Sequence, residues 1–332
     1  MRIRMIIITA ALQLVIAGTL KAQVDPHFSQ YYAYPMWLNP ALTGVINGSA
    51  RVTANYKNQY ANLNNAYKTT AISADMRTNQ NVGLGLNVLN QAAGDVGFNY
   101  FSAYANFSYG IIVSGDGNQR LNFGIQAGVL NRSFNPSKLQ LGSQYDPLMG
   151  YNPNMPSNET FGTTSTTVFD SGAGIFYYNG DPTTVANFFG GVSVGHLSRP
   201  RDPFAVQGDG SRIPLRYTVQ AGLRIAVGEM LDVTPHAIFV KQQNAQEKLV
   251  GAYTEVKLPD NNGLIAGAMY RFGDAAIANV GYDIKGLIIG ASYDFNTSSL
   301  NRATNSMGGV ELSISYVFRK RVNEPDPICP RL

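Results

Sequence analysis

Two stretches of this 332-residue chain carry the residue types of a hydrolase. HLS at 196–198 sets His196 and Ser198 two residues apart, and GVSVG at 191–195 fits the pattern around a nucleophilic serine, here Ser193. A hydroxyl becomes nucleophilic when a base within hydrogen-bond reach takes its proton. The second pattern also needs a sharp strand-to-helix turn, and ANFFGGVSVGHLS runs on as a strand with no helix behind it. His196 and Ser198 share a face with Phe188, Val192 and Val194, which points them outward, and no orienting carboxylate can be assigned. One reading is a lipid deacylase using His196 and Ser198; the other is an interfacial histidine closing a strand before a Pro-containing loop. The remaining histidines, His27 and His236, lie far apart, and no cluster has metal-ligand spacing. GLG at 83–85 and GAG at 172–174 lack the following helix that phosphate binding requires, so they read as relief of crowding in a curved sheet. No metal or cofactor is expected.

The elements that must carry these residues are strands. In GVELSISYVF, Val310, Leu312, Ile314, Tyr316 and Phe318 fall on one face, opposite Glu311, Ser313, Ser315 and Val317. AAIANVGYDI and PLRYTVQAGLRIAV alternate in the same way, and period two with one apolar face means half-buried strands. Fourteen such runs follow one another between residues 49 and 320, most reaching the ~9–11 residues of a tilted transmembrane strand. The connections sort by length. TNQN, SGDGNQ, NGDPTT, GEM, PDNN and KG fall at one end; the long segments 135–165, 199–211 and 300–307 fall at the other. That asymmetry belongs to outer-membrane barrels. The fold expected is all-β, a transmembrane antiparallel β-barrel of about 14 strands. Arg216 and Arg224 then face the lumen with Asp283, Asp294 and Glu311, either as a charge network or as a selectivity filter.

The ends of the chain set compartment and charge. Residues 1–22 read as a signal peptide: two arginines, an apolar run at the short end for spanning, and small residues before Gln23. Arg2, Arg4 and Lys21 lie within it, so 22 basic residues remain against 21 acidic ones, and no nucleic-acid partner is implied. The single Cys329 permits no internal disulfide. Residues 321–332 read as a periplasmic tail. Between signal and barrel, residues 23–48 include FSQYYAYPMWLNPALTG, without a charge and with Pro35 and Pro40. Exposed, such a segment would be sticky, and it is too interrupted for a central strand.

QVDPHFSQYYAYPMWLNPALTG resembles the start of the PorP/SprF family, outer-membrane proteins of the type IX secretion system of Bacteroidetes. Phe28, Ser29, Gln30 and Tyr31 match its F-S-Q-Y, and Asn39, Pro40, Ala41, Thr43 and Gly44 its N-P-A-x-T-G. SVGHLSRP, with His196, Leu197 and Pro200, looks like its S-x-x-H-L-x-x-P, and the closing strands look like family sequence. The resemblance implies a non-enzymatic accessory protein. Its partners would be the C-terminal domain of a secreted adhesin or the periplasmic secretion ring, besides the lipid bilayer; a passive porin is the alternative. On physical grounds the segment cannot join the lipid face without satisfying its backbone polar groups, and fourteen strands leave a wide lumen: residues 25–45, with Phe28, Gln30, Tyr31, Trp37, Asn39 and Pro40, should plug the periplasmic mouth or lumen, dock a periplasmic partner, or tuck against the first strand.

Overall fold

A computed structural model describes residues 25–318 except 63–65, 79–80, 95–96, 147, 158, 160, 162 and 203–211. The signal peptide, most of loop 199–211, the tail and Cys329 therefore lie outside the described residues. The barrel strands are β1 (Ala50–Gln59), β2 (Tyr67–Arg77), β3 (Val82–Ala93), β4 (Phe98–Ile112), β5 (Gln119–Ser133), β6 (Ser165–Asn179) and β7 (Ala186–Gly195). They continue as β8 (Arg216–Val227), β9 (Leu231–Gln242), β10 (Ala245–Leu258), β11 (Asn262–Arg271), β12 (Ala275–Ile284), β13 (Leu287–Asn296) and β14 (Met307–Phe318). Each pairs antiparallel with its sequence neighbours, and β14 pairs β1 from Ala50↔Phe318 to Gln59↔Gly309, closing the cylinder. Closure leaves no edge strand, so the wall's backbone polar groups are met within the wall, as hydrocarbon demands.

The alternation sorts side chains as expected. Leu86, Ile125, Val280 and Leu312 are each more than half exposed on the outer surface, whereas Lys57, Arg271, Asp294 and Glu311 are at most 2% exposed, facing inward. The six connections TNQN, SGDGNQ, NGDPTT, GEM, PDNN and KG lie at one end, and the other has two tight turns of its own, 243–244 and 272–274. That second end also carries 134–164, with a small hairpin of Tyr145–Asp146 and Gly150–Tyr151, and 297–306, with a helical turn at Asn301–Thr304.

Fourteen strands enclose more space than their own side chains fill. Residues 28–46 occupy it. Phe28, Tyr34 and Trp37 pack with Leu89, Tyr104, Leu130 and Ile213; Tyr31 and Leu38 pack with Ile238, Val240, Leu249 and Met269; Ala41, Leu42 and Val45 pack with Phe176, Tyr178 and Phe189. The expected location was the short-turn mouth or the lumen, and the segment is not confined to the mouth. Asp25 N donates to Gln242 Oε1 at the last residue of β9, on the long-loop end. Gly44 N donates to Asp75 Oδ2 near the last residue of β2, on the short-turn end. The chain therefore runs down the barrel and leaves it to begin β1. Its polar backbone explains this path: in the lumen it finds partners from end to end.

The outward face can be tested directly. Leu312→Arg is expected to lower stability in vesicles by about 2–4 kcal/mol if its site lies at mid-bilayer. This would be read from the urea unfolding midpoint. Leu312→Ala, which keeps the face apolar, should shift the midpoint less.

Candidate functional site

The threaded segment has local structure dictated by its sequence. Tyr31–Ala33 forms a 3-10 turn, and Pro35 opens one helical turn to Leu38. Both Pro35 and Pro40 sit at the first position of a turn, where the missing N–H costs nothing. Asn39 caps the turn Pro40–Leu42, its Oδ1 accepting from Ala41 N at 2.9 Å. Thr43 Oγ1 closes it by donating to Pro40 O at 2.7 Å, and Gly44 follows at φ +72°, the left-handed region that favours glycine. The spacing N-P-A-x-T-G is thus cap, turn opener, turn closer and reversal.

The barrel reads this segment at several stations. Near the long-loop end, the Glu311 carboxylate accepts Ser29 N at 2.6 Å and Gln30 N at 3.0 Å, and Gln30 Nε2 donates to Glu311 O. Ser29 Oγ donates to Asp294 Oδ2 at 2.7 Å and accepts from Lys57 Nζ at 3.1 Å and Arg271 Nη2 at 2.7 Å. The hydroxyl's one proton and two lone pairs are all used. Arg271 also meets Asp274, Glu247 and Asp294. Burial, then the Arg271 and Lys57 charges, holds His27 well below the usual imidazole range. His27 is therefore neutral, accepts from Arg271 Nη1 at 2.9 Å through Nε2, and makes no ion pair with Glu247 at 3.7 Å.

Beside this pocket, His196 lies between two carboxylates, with Nε2 2.7 Å from Asp25 and Nδ1 2.6 Å from Asp170. Tyr104 OH donates to the same Asp170 oxygen at 2.7 Å. Burial alone would lower the imidazole, but the Asp25 charge and the hydrogen bonds to Asp170 and Asp25 raise it to about 10. Burial likewise pushes Asp25 up, and the His196 charge and hydrogen bond, with the Arg216 field, outweigh it and bring it down to about 2. The start of the described chain is thereby fastened by a charged clasp.

Lower down, Asn39 Nδ2 donates to Ile175 O at 3.0 Å and Val192 O at 3.3 Å, and Ser193 Oγ donates to Leu38 O at 2.8 Å. The approach is close enough to require missing side chains. A Cβ at Gly174 would lie 2.0 Å from Asn39 Oδ1, and one at Gly124 would lie 2.2 Å from Ala41 N. Ser108 Oγ donates to Thr43 O at 2.6 Å, and Arg51 grips both oxygens of Asp75 at 3.0 Å, behind Gly44.

Several sequence expectations change here. His196 does not face lipid: β7 ends at Gly195, and φ +58° at His196 swings the ring into the lumen. Ser198 Oγ donates to Asp170 Oδ1 at 3.0 Å instead of to the imidazole, both of whose nitrogens are occupied. The deacylase pair is therefore not assembled. GLG and GAG clear space for the threaded segment: a Cβ at Gly83 would lie 2.3 Å from Thr43 O. The five charges face inward but do not form one network. Arg224 pairs with Asp232 at 2.7 Å, Asp294 and Glu311 belong to the Ser29 pocket, and Asp283 accepts from Gly286 N near the short-turn end. Arg216 stands over Trp37 with its guanidinium carbon 5.1 Å from the ring. Of the third motif, Leu197 is exposed, Pro200 is buried and its carbonyl accepts Ile213 N. Sequence reading missed Asp25, Lys57, Asp170, Glu247 and Arg271; for the last four only an inward charge on a strand would have singled them out, and that signal does not name partners, while Asp25 precedes the first strand.

The family described as "Type IX secretion system membrane protein PorP/SprF" matches residues 20–316. No curated protein matches the chain. Among solved structures, the Ralstonia pickettii toluene transporter TbuX is similar at TM-score 0.55 and 11% identity, over 86% of this chain and 94% of that one. The CymD monoaromatic hydrocarbon channel is similar at 0.51 and 12%, over 87% and 94%. At such identities these two establish the barrel fold alone.

Two outcomes are expected of the lumen. Gly174→Val should lift the segment, raising acrylamide quenching of Trp37, the single tryptophan, and lowering Tm. The clasp should also be pH-dependent. Asp25, ordinarily near 3.8, contributes above that value and loses its contribution as pH falls towards 2. His196, ordinarily near 6.5, contributes fully below that value and fades as pH rises through about 10. The Tm difference between the wild type and His196→Gln should thus be greatest at about pH 4–6.5 and close by about pH 10.

Proposed function

The chain belongs to the PorP/SprF family of type IX secretion system membrane proteins and is an outer-membrane barrel; on that premise we propose a non-enzymatic, SprF-like accessory role. The protein assists the export or surface attachment of a secreted adhesin-type protein by binding its C-terminal domain. The observation that carries this reading is the occupied lumen: residues 28–46 fill the passage with side chains and hydrogen-bond to its wall. A polypeptide has no open route through such a barrel, so recognition falls to the rims. Loop 135–165 supports an outer docking surface. It is braced by the Tyr145 and Tyr151 rings and by Asp146 accepting Leu148 N and Met149 N, and its tip holds Leu148 95% exposed and Met149 81% exposed. Apolar tips held out on an ordered hairpin suit insertion into a protein partner. Loop 199–211 is the second proposed contact. Linking to the periplasmic secretion ring through the short-turn end is the other accessory reading.

The passive-channel alternative predicts a stable open pore after reconstitution. Under the accessory reading, wild-type barrels in planar bilayers show no large steady conductance. Deleting residues 137–163 should abolish co-purification of the secreted protein from intact membranes, while the barrel keeps its heat-dependent gel mobility. Unchanged co-purification and secretion after that deletion would reject the proposed docking loop.

A further inference from the structure

The outward face of the barrel is almost free of charge. Among the described residues of the strands, only Lys68, Lys241 and Lys248 carry a charge on that face. All three are basic and exposed, and all lie at the long-loop end. Lys68 is the second residue of β2, Lys241 the last but one of β9 and Lys248 the fourth of β10. Glu247, next to Lys248, faces the lumen and meets Arg271 there. No acidic side chain therefore balances the outward lysines.

Lys241 and Lys248 stand together. Lys241 pairs with Gln246 and Lys248 with Phe239, so the two lysines are diagonal neighbours, about 7–8 Å apart in such an arrangement. Like charges at that separation repel unless an anion joins them. Aromatic neighbours fix their level. Lys241 lies opposite Tyr217 of β8, and the Lys248 carbonyl accepts Phe272 N at 2.9 Å. Tyr217 is 46% exposed and Phe272 54% exposed, and aromatic side chains on the lipid face mark the headgroup level. The turns beside the lysines, 243–244 and 272–274, are tight, so this sector of the rim carries no long loop of its own. Neither ammonium group has a protein partner among the described residues.

We propose that Lys241 and Lys248 bind the headgroup of an outer-leaflet lipid that carries a phosphate monoester. Such a phosphate holds about −1.5 to −2 charges at pH 7 and three acceptor oxygens. Two ammonium groups, each with three donors, match it in charge and in hydrogen bonding. The lysine stems lie along the apolar surface with their charged ends at the headgroup, and the acyl chains continue down the outward face below them. A zwitterionic lipid brings no net charge to the pair, and a phosphodiester brings only one. The site rests on the barrel and its outer-membrane placement, not on the secretion role.

The full chain is released from phosphatidylcholine nanodiscs that contain equal small amounts of phosphatidate, a monoester, and phosphatidylglycerol, a diester. Native mass spectrometry counts the lipids that stay bound. The wild type should retain one phosphatidate in preference to phosphatidylglycerol. Lys241→Gln and Lys248→Gln should each weaken that retention about fivefold, the scale of one basic residue beside an anionic lipid surface. The double variant should lose the preference, and Lys68→Gln should keep it. Glycerol 3-phosphate, which has the headgroup without the chains, should not displace the lipid. Heat-dependent gel mobility checks that each variant is folded, and the wild-type comparison of the two anionic lipids needs no variant. Equal retention of those lipids, displacement by glycerol 3-phosphate, an equal loss in Lys68→Gln, or a folded double variant that retains phosphatidate unchanged would each overturn the proposal.

Discussion

The width of a fourteen-stranded cylinder is the constraint on which the rest of this structure depends. Hydrocarbon forces the sheet to close, and closure at this strand number leaves an interior that inward side chains cannot fill. An empty polar lumen would conduct; a filled one needs a filler that meets both apolar and polar wall positions. The chain solves this with its own N-terminal residues. Their aromatic side chains supply bulk, and their backbone, interrupted by Pro35 and Pro40, forms short turns instead of seeking a sheet edge.

Filling the lumen makes buried charge tolerable. Lys57, Arg271, Asp294 and Glu311 would be costly in a dry interior if unpaired. Here they converge on Ser29 and Gln30, whose backbone and side-chain groups complete their coordination. The wall and the segment are therefore complementary: Lys57 and Arg271 pair with wall carboxylates and take further partners from the segment. This accounts for the F-S-Q spacing in physical terms. The Ser29 hydroxyl donates to Asp294 and accepts from two cations at once, and Gln30 reaches back to the β14 backbone.

The same logic redirects residues that read as chemistry. His196, which beside a serine reads as a general base, is held charged between Asp25 and Asp170 and serves as a tether. Ser193, at the centre of a nucleophile pattern, donates to the backbone of Leu38. Glycines that read as phosphate loops or strand relief mark where Asn39, Ala41 and Thr43 come against the wall. Arg216, which reads as part of a charge network or filter, stands over the Trp37 ring instead.

Strand number, approximate strand limits, the side that carries the long loops and the outward face were legible in the sequence, because period-two alternation is a local property that each segment carries by itself; the tight turns 243–244 and 272–274 on that same side depart from the expected sorting. The meaning of N-P-A-x-T-G as a turn was within reach too, since cap, proline and glycine act on adjacent residues. What only the tertiary structure decided was the course of residues 25–46 through the whole lumen, the inward turn of His196 and the pairing of each charge. Those depend on residues brought together from up to 283 positions apart, as Gln30 and Ser313 are, and on one positive φ just past a strand end. Alternation says which side of the sheet a residue faces; it carries no information about what stands across the barrel.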